Sequence, residues 1–251
     1  MPFPPATAAA VALAIVLFAA APAQAAEDAA VVGLYTAAIE QALAGKDETD
    51  LALASIREVP ASSLPAFDKW FNANAHRMPP IYLFTYASRV FSVDPQQSAR
   101  WFFFARTRLF YDALRCRDET VLERIVEYDA ARGEIVAYIQ ANPAEGAAAA
   151  SWALKWEIAH DPAHQPQALL EFCLTGREGW QLAKEQGKLA AGVTSGTGDD
   201  QSRRVLVALP DVDDAAKWVV PAAAYPQARS DAIAITQRVI DQLTAAPKSG
   251  G

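Results

Sequence analysis

The stretch Trp101–Leu114, WFFFARTRLFYDAL, constrains the fold more than any other part of the chain. Wound as an α-helix, it carries apolar side chains on three adjacent lines, so apolar surface covers most of its circumference. Such a helix must be covered by neighbours on several sides. The stretch therefore predicts the central helix of an all-α domain, either a multi-helix bundle or a stack of helical hairpins.

Proline, glycine and capping residues divide the rest of the chain into further helices. Residues 188–204 have no periodicity and are rich in Gly, Ser, Thr and Asp, which predicts a flexible loop. We expect at most one short strand, near Val205–Leu209. A single inward stripe from Val121 to Ile139, interrupted by Arg132 and Gly133, predicts one helix of roughly five turns. These elements are expected to form one helical domain, residues 27–246, followed by a disordered tail, residues 247–251.

Residues 1–26 differ in composition from the rest of the chain. Ala8–Ala21 is an unbroken apolar run, and Ala-Gln-Ala follows at positions 23–25. A short apolar run followed by Ala-x-Ala is typical of a secretory signal peptide, although no Lys or Arg precedes the run here. An uncleaved membrane anchor is the alternative, but the run is short for a membrane span. We therefore expect a periplasmic or secreted chain that has no membrane span after cleavage near Ala26.

The chain has two cysteines, Cys116 and Cys173. An even pair in an exported protein predicts a single disulfide. Closing the long loop between them would be worth about 4 kcal/mol in the chain-entropy model. Two buried free thiols are the alternative. A redox or catalytic thiol is not indicated, because the sequence contains no Cys-x-x-Cys and no His beside either residue.

The net charge of −7 is unevenly distributed along the chain. An acidic protein is a poor candidate for binding nucleic acid. Arg89–Arg117, however, contains six arginines and two aspartates, a local balance of +4. Some of these arginines are expected to be structural, since Arg108 and Asp112 have the i,i+4 spacing of an ion pair. The alternative is a cationic face for an acidic protein partner, with these candidate contacts: Arg100, Arg106, Arg108 and Arg115.

The residues around the aromatic stretch resemble one helical repeat. Asp94, Ala99, Trp101, Phe102 and Ala105 are similar to the second helix of a Sel1-type or tetratricopeptide-like repeat. The preceding segment would then be the first helix, so the resemblance covers about Tyr82–Ala105. It implies stacked helical pairs, and such repeats bind protein segments in a concave groove.

Two pairs of residues at helical spacing are candidates for chemistry. His160 and His164 are four residues apart, but Pro162 lies between them, so they are only weak metal-ligand candidates within an interhelical turn. Trp152 and Trp156 are expected to pack in the core, and the alternative is that they line a sugar or peptide groove. No catalytic residue and no cofactor is predicted, because no nucleophile or phosphate-binding motif is present.

These observations favour binding over chemistry. The preferred hypothesis is an exported helical protein that binds another protein, for example an immunity-type inhibitor of a secreted toxin. One alternative is a cell-envelope hydrolase or metal-binding protein of an unfamiliar class. Another is a structural protein of the envelope.

Overall fold

The computed structural model of the protein describes residues 30–45, 48–160, 166–191, 204–206 and 210–245. Over these residues the protein has the predicted all-α, multi-helix fold. The predicted signal peptide and the predicted tail lie outside the described residues. The chain divides into two compact units, Met1–Ala75 and His76–Gly251. One helical domain over residues 27–246 stays a prediction.

The described part of the first unit contains three helices: α1 (residues 30–43), α2 (Thr49–Glu58) and α3 (Leu64–Asn74). After α1 the chain turns at Gly45, whose φ of +82° lies in the left-handed region that favours glycine. A proline stands in the first turn of α3, where its missing N–H would have no helical acceptor. The Phe67 and Phe71 rings of this helix are buried and in contact with each other.

The second unit is built around α5, which packs most extensively against α4, α8 and α11. The Asp94 side chain caps α5 by accepting a hydrogen bond from the Gln97 N–H (2.9 Å), and Pro95 occupies the first turn. The helices described in this unit are α4 (Pro80–Phe91), α5 (Pro95–Ala113), α6 (Glu123–Ala130), α7 (Gly133–Ala141), α8 (Pro143–Ala159), α9 (Pro166–Cys173), α10 (Arg177–Glu185) and α11 (Tyr225–Ala245).

Buried aromatic rings fix the position of α5. The Trp101 ring meets Tyr86 of α4 and Trp152 of α8 edge to face, with ring centroids 5.5 and 5.6 Å apart. About one helical turn further along α5, the centroid of the Phe104 ring lies 4.6 Å from that of the Trp156 ring. Pairs of this kind add about 0.5–1.5 kcal/mol beyond the area they bury. The predicted central helix, covered on several sides, is therefore confirmed.

The helix predicted across Val121–Ile139 is wrong, because the structure has a 3₁₀ turn, Glu119–Leu122, followed by two separate helices, α6 and α7. Arg132, at the junction between them, has the non-helical backbone angles φ −126° and ψ +37°. Glycine is a weak helix former, and the new helix starts at Gly133. Arg132 therefore lies at a corner between α6 and α7.

The two cysteines are brought together from the ends of α5 and α9. The sulfur atoms of Cys116 and Cys173 lie at disulfide-bonding distance, and the Cα atoms are 5.2 Å apart. The predicted disulfide is therefore confirmed. It closes a separation of 57 residues and anchors the end of α9 to the end of the central helix.

A short antiparallel pair of strands, β1 (Leu189–Ala191) and β2 (Arg204–Leu206), follows α10. We expected at most one strand, near Val205–Leu209, and a loop over residues 188–204. The position of β2 agrees with that expectation, but β1 lies within the predicted loop. A strand needs a neighbouring strand to satisfy its backbone N–H and C=O groups. Leu189–Ala191 provides that neighbour for β2, although its own sequence has no pattern that predicts a strand.

Among the described residues, none of the helices has the length and apolar content needed to cross a membrane.

Candidate functional site

A cavity of about 380 Å³ in the second unit is the strongest candidate for a functional site. Arg124 and Tyr128 of α6 and Arg132 of the corner line one wall. Phe172 of α9 and Trp180 of α10 line the opposite wall. The volume falls in the range of small-molecule sites, about 300–1,000 Å³. The site therefore combines aromatic rings with guanidinium groups.

Asp118 connects the two walls. Its carboxylate accepts hydrogen bonds from the Thr120 hydroxyl (2.6 Å) and N–H (3.0 Å) before α6, and from the Glu178 N–H (2.9 Å) in α10. The chain passes close by at Gly176, where a Cβ atom would lie 2.3 Å from an Asp118 oxygen. Burial alone would raise the pKa of Asp118, but the hydrogen bonds outweigh it and lower the pKa below its usual value. An ionised Asp118 thus fixes the start of both walls.

Arg124 reaches from the first wall to the second. Its Nε and Nη2 atoms both donate to the Thr175 carbonyl (3.0 and 2.8 Å), and Nη1 donates to the Glu127 carboxylate (2.6 Å). The guanidinium carbon also lies 5.7 Å from the centre of the Trp180 ring, within cation–π range. The side chain of Arg124 is therefore held in one orientation, and its charge is neutralised by Glu127.

In contrast to Arg124, Arg132 contacts aromatic rings and not a carboxylate. Its Nη1 atom donates to the Tyr128 carbonyl (3.1 Å), and its guanidinium lies 4.6 Å from the centre of the Phe84 ring and 5.3 Å from that of Tyr128. None of the ion pairs of the described residues includes Arg132. Burial lowers the pKa of Arg132, against the opposing effects of Tyr128 and Asp129. An arginine nevertheless stays protonated near neutral pH, so Arg132 carries a positive charge outside ion-pair distance of a carboxylate, with Asp129 acting on it from further away.

Two N–H donors in the cavity walls lack acceptors. The Nε atom of Arg132 and the Nε1 atom of Trp180 are buried and have no hydrogen-bond partner among the described residues. A buried donor left without an acceptor costs about 1–3 kcal/mol. Natural structures contain few such groups, and each calls for an explanation. A ligand with acceptor atoms would explain both donors, once side-chain rotations expose them to the cavity.

The ionisable groups of the cavity suit the binding of an anion better than the transfer of a proton. Arginine does not act as a base near neutral pH. The Glu127 carboxylate is engaged with Arg124. Burial raises the pKa of Tyr128, so its hydroxyl stays protonated at neutral pH.

The four predicted partner-binding arginines do not share one surface. Arg108 and Arg115 are buried, whereas Arg100 is half-buried and the side chain of Arg106 is 23% exposed. Arg106 pairs with Asp129 of α6 (3.0 Å), next to the cavity wall. A partner-binding role for these residues stays a prediction, and solvent reaches only Arg100 and Arg106 appreciably.

Arg115 follows the end of α5 and is buried. It pairs with Asp112 one turn earlier, and its guanidinium lies 4.1 Å from the centre of the Tyr111 ring and 5.1 Å from that of Tyr225. These contacts join the end of α5 to the start of α11. Asp112 therefore pairs with Arg115 and not with Arg108, the partner that the i,i+4 spacing predicted.

Arg108 instead pairs with Glu157 of α8, and both side chains are buried. Arg229 of α11 approaches the other oxygen of the same carboxylate (3.5 Å) and donates to the Glu157 backbone carbonyl (2.5 Å). Arg108 and Arg229 also both donate to the His160 carbonyl. This network joins α5, α8 and α11 inside the unit.

The residues of the alternative hypotheses lie elsewhere. His160 is exposed and stacks on Trp156, with ring centroids 3.9 Å apart, while His164 lies outside the described residues. Within the part of the chain that the structure describes, no group of three or more His, Cys, Asp or Glu residues could hold a metal ion. Trp152 and Trp156 pack against α5, so neither lines the cavity.

Comparisons of the chain with protein-family models, with curated proteins and with solved structures gave no match. The candidate site therefore depends on its own geometry. Sequence reasoning missed Arg124, Arg132 and Trp180 as site residues. The one local signal was Arg132, a charged residue within an apolar stripe.

Proposed function

We propose that the protein is an exported, periplasmic or secreted helical protein that binds an acidic segment of another protein. The disulfide between Cys116 and Cys173 supports export, because disulfides persist in oxidising compartments. The cavity between α6 and α10 supports binding, because it offers aromatic surface and guanidinium donors together.

The charge around the cavity is the observation that carries the proposal. Arg106 pairs with Asp129 and Arg124 pairs with Glu127, whereas Arg132 is in none of the ion pairs of the described residues. On a chain with a net charge of −7, the residues that line the cavity include two arginines and one glutamate, a local balance of +1. Complementary charge speeds the encounter with an acidic partner and selects against basic ones.

An immunity-type inhibitor is the specific form of the proposal. In that form the acidic segment belongs to a secreted toxin, and binding covers the toxin's active site. Aromatic and arginine side chains suit this role, because they dominate the binding energy of protein interfaces.

Capture of a partner from the native cell envelope tests the proposal. We expect the double variant Arg100→Glu, Arg106→Glu to lose a partner that the unchanged protein retains at low salt. The matched control is Lys217→Glu, Arg238→Glu, which makes the same change in charge at exposed positions away from the cavity wall. Equal capture by both double variants, with both proteins folded, would contradict the proposal.

A further inference from the structure

We infer that the cavity binds a carboxylate carried on a flat apolar group, with Arg132 as the residue that recognises the charge. The inference deepens the proposed function and rests on it for the natural source of the ligand, a partner protein. The chemistry itself follows from the cavity alone.

The charge of the cavity selects a monoanion. Of the two arginines that line the cavity, Arg124 is paired with Glu127, whereas Arg132 is in none of the ion pairs of the described residues. One bound carboxylate would neutralise that single charge. A dianion would place a second negative charge close to Glu127, which also lines the cavity.

The geometry of the donors favours a carboxylate over a single acceptor atom. A guanidinium presents parallel N–H groups that match the two oxygens of a carboxylate. The Nε–H of Arg132 is buried and has no acceptor among the described residues, so a rotation that brings it to the cavity would offer one side of this fork to the ligand. The indole N–H of Trp180, equally without an acceptor there, can serve a second oxygen of the ligand.

The rest of the cavity wall selects the body of the ligand. The rings of Tyr128, Phe172 and Trp180 line it, and Ile81 adds aliphatic surface. Aromatic rings prefer to stack with an offset or to meet edge to face, and both arrangements accept a flat apolar group. A volume of about 380 Å³ suits a ligand of the size of one aromatic acid.

Binding of 3-phenylpropanoate to the purified protein, measured by isothermal titration calorimetry, tests the inference. The matched probe is the uncharged amide of the same acid. We expect the acid to bind at least tenfold more tightly than the amide, and Arg132→Met to weaken binding of the acid at least tenfold. Equal binding of acid and amide, undetectable binding of the acid, or an unchanged affinity in folded Arg132→Met would overturn the inference.

Two further variants keep the test decisive. Arg238→Met removes an exposed guanidinium that does not line the cavity, and we expect it to bind the acid as the unchanged protein does. If Arg132→Met fails to fold, Trp180→Phe takes its place, because it keeps an aromatic ring and removes the N–H donor. At least threefold weaker binding of the acid by Trp180→Phe supports the inference, and unchanged binding overturns it.

A third probe distinguishes the source of the carboxylate. A short peptide that ends in phenylalanine carries the same chemistry on a polypeptide. Tighter binding of this peptide than of 3-phenylpropanoate supports a protein source, and the reverse order supports a free acid. If the unchanged protein binds the acid but captures no partner, the proposed function alone is contradicted. If it captures a partner but does not bind the acid, this inference alone is contradicted.

Discussion

Replacing Glu157 by glutamine tests whether the network between α5, α8 and α11 holds the second unit together. The Glu157 side chain is only 2% exposed and lies between the guanidinium groups of Arg108 and Arg229. The amide of Glu157→Gln has nearly the same shape but carries no charge. The buried guanidinium group of Arg108 would then lose the carboxylate with which it pairs.

The expected cost follows from the burial of the pair. Removing one partner of a buried ion pair costs about 3–5 kcal/mol, because the remaining charge stays desolvated. An exposed pair contributes only about 0.2–1 kcal/mol. Glu123 and Arg177 form such a pair, with side chains 67% and 74% exposed. We therefore expect Glu157→Gln to lower the free energy of unfolding several times more than the control Glu123→Gln does.

Urea unfolding followed by far-ultraviolet circular dichroism measures both variants by linear extrapolation. A double-mutant cycle extends the test. Arg108→Met and Glu157→Met should each be strongly destabilising, while the double variant should lose much less than the sum, because no uncompensated charge remains at that pair. Additive losses, or equal losses in Glu157→Gln and Glu123→Gln, would refute the reasoning.

Three further predictions concern the packing and the titration of single residues. A Cβ atom on Gly179 would lie 2.0 Å from a backbone carbonyl oxygen, so Gly179→Ala should cost more than about 2 kcal/mol in urea unfolding, whereas Gly133→Ala, with open space around it, should cost nothing or stabilise α7. The hydrogen bond to Glu145 is the main cause that raises the pKa of Tyr138 to about 12, so its contribution to stability is fully present below about pH 10 and is lost as the pH rises from there through about 12. In an absorbance titration of tyrosinate, one late-titrating group should be missing from Tyr138→Phe and should titrate earlier in Glu145→Gln. The lowered pKa of Asp118 means that its contribution is present above about pH 4 and is lost on further acidification, so the unfolding free energies of Asp118→Asn and the unchanged protein should converge in acid and differ at neutral pH.

The central helix could be predicted because its signals are local. An apolar circumference requires burial whatever the neighbours are, and Asp94 with Pro95 marks where the helix starts. The pairing of Cys116 with Cys173 could likewise be predicted, since two cysteines allow only one bridge within the chain.

The corner at Arg132 and the strand Leu189–Ala191 could not be predicted with the same arguments. Apolar spacing continues through the corner, so the pattern alone favours one long helix, and only backbone geometry separates α6 from α7. Leu189–Ala191 is a strand only because Arg204–Leu206 pairs with it. Both features depend on tertiary context, which overrides weak local preferences.

The cavity was beyond sequence reasoning for a related reason. Its walls contain Arg124 and Trp180, which are far apart in the chain and meet only once Asp118 and the disulfide fix α9 and α10 against α6. The position of a single arginine or tryptophan in a helical pattern does not predict that the two side chains will line the same cavity.

The distribution of ion pairs explains why local charge was a poor guide to the site. Arg106 and Arg108 contribute to the cluster of arginines in the sequence, but Asp129 and Glu157, which lie outside the cluster, neutralise them in the fold. A positive balance along the chain therefore does not produce a positive surface when the counter-charges arrive from other helices. Of the two arginines that line the cavity, Arg132, outside the cluster, is in none of the ion pairs of the described residues, and its guanidinium lies over the rings of Phe84 and Tyr128. The proposed anion site therefore depends on an arginine that the fold places in a cavity, and not on the run of arginines in the sequence.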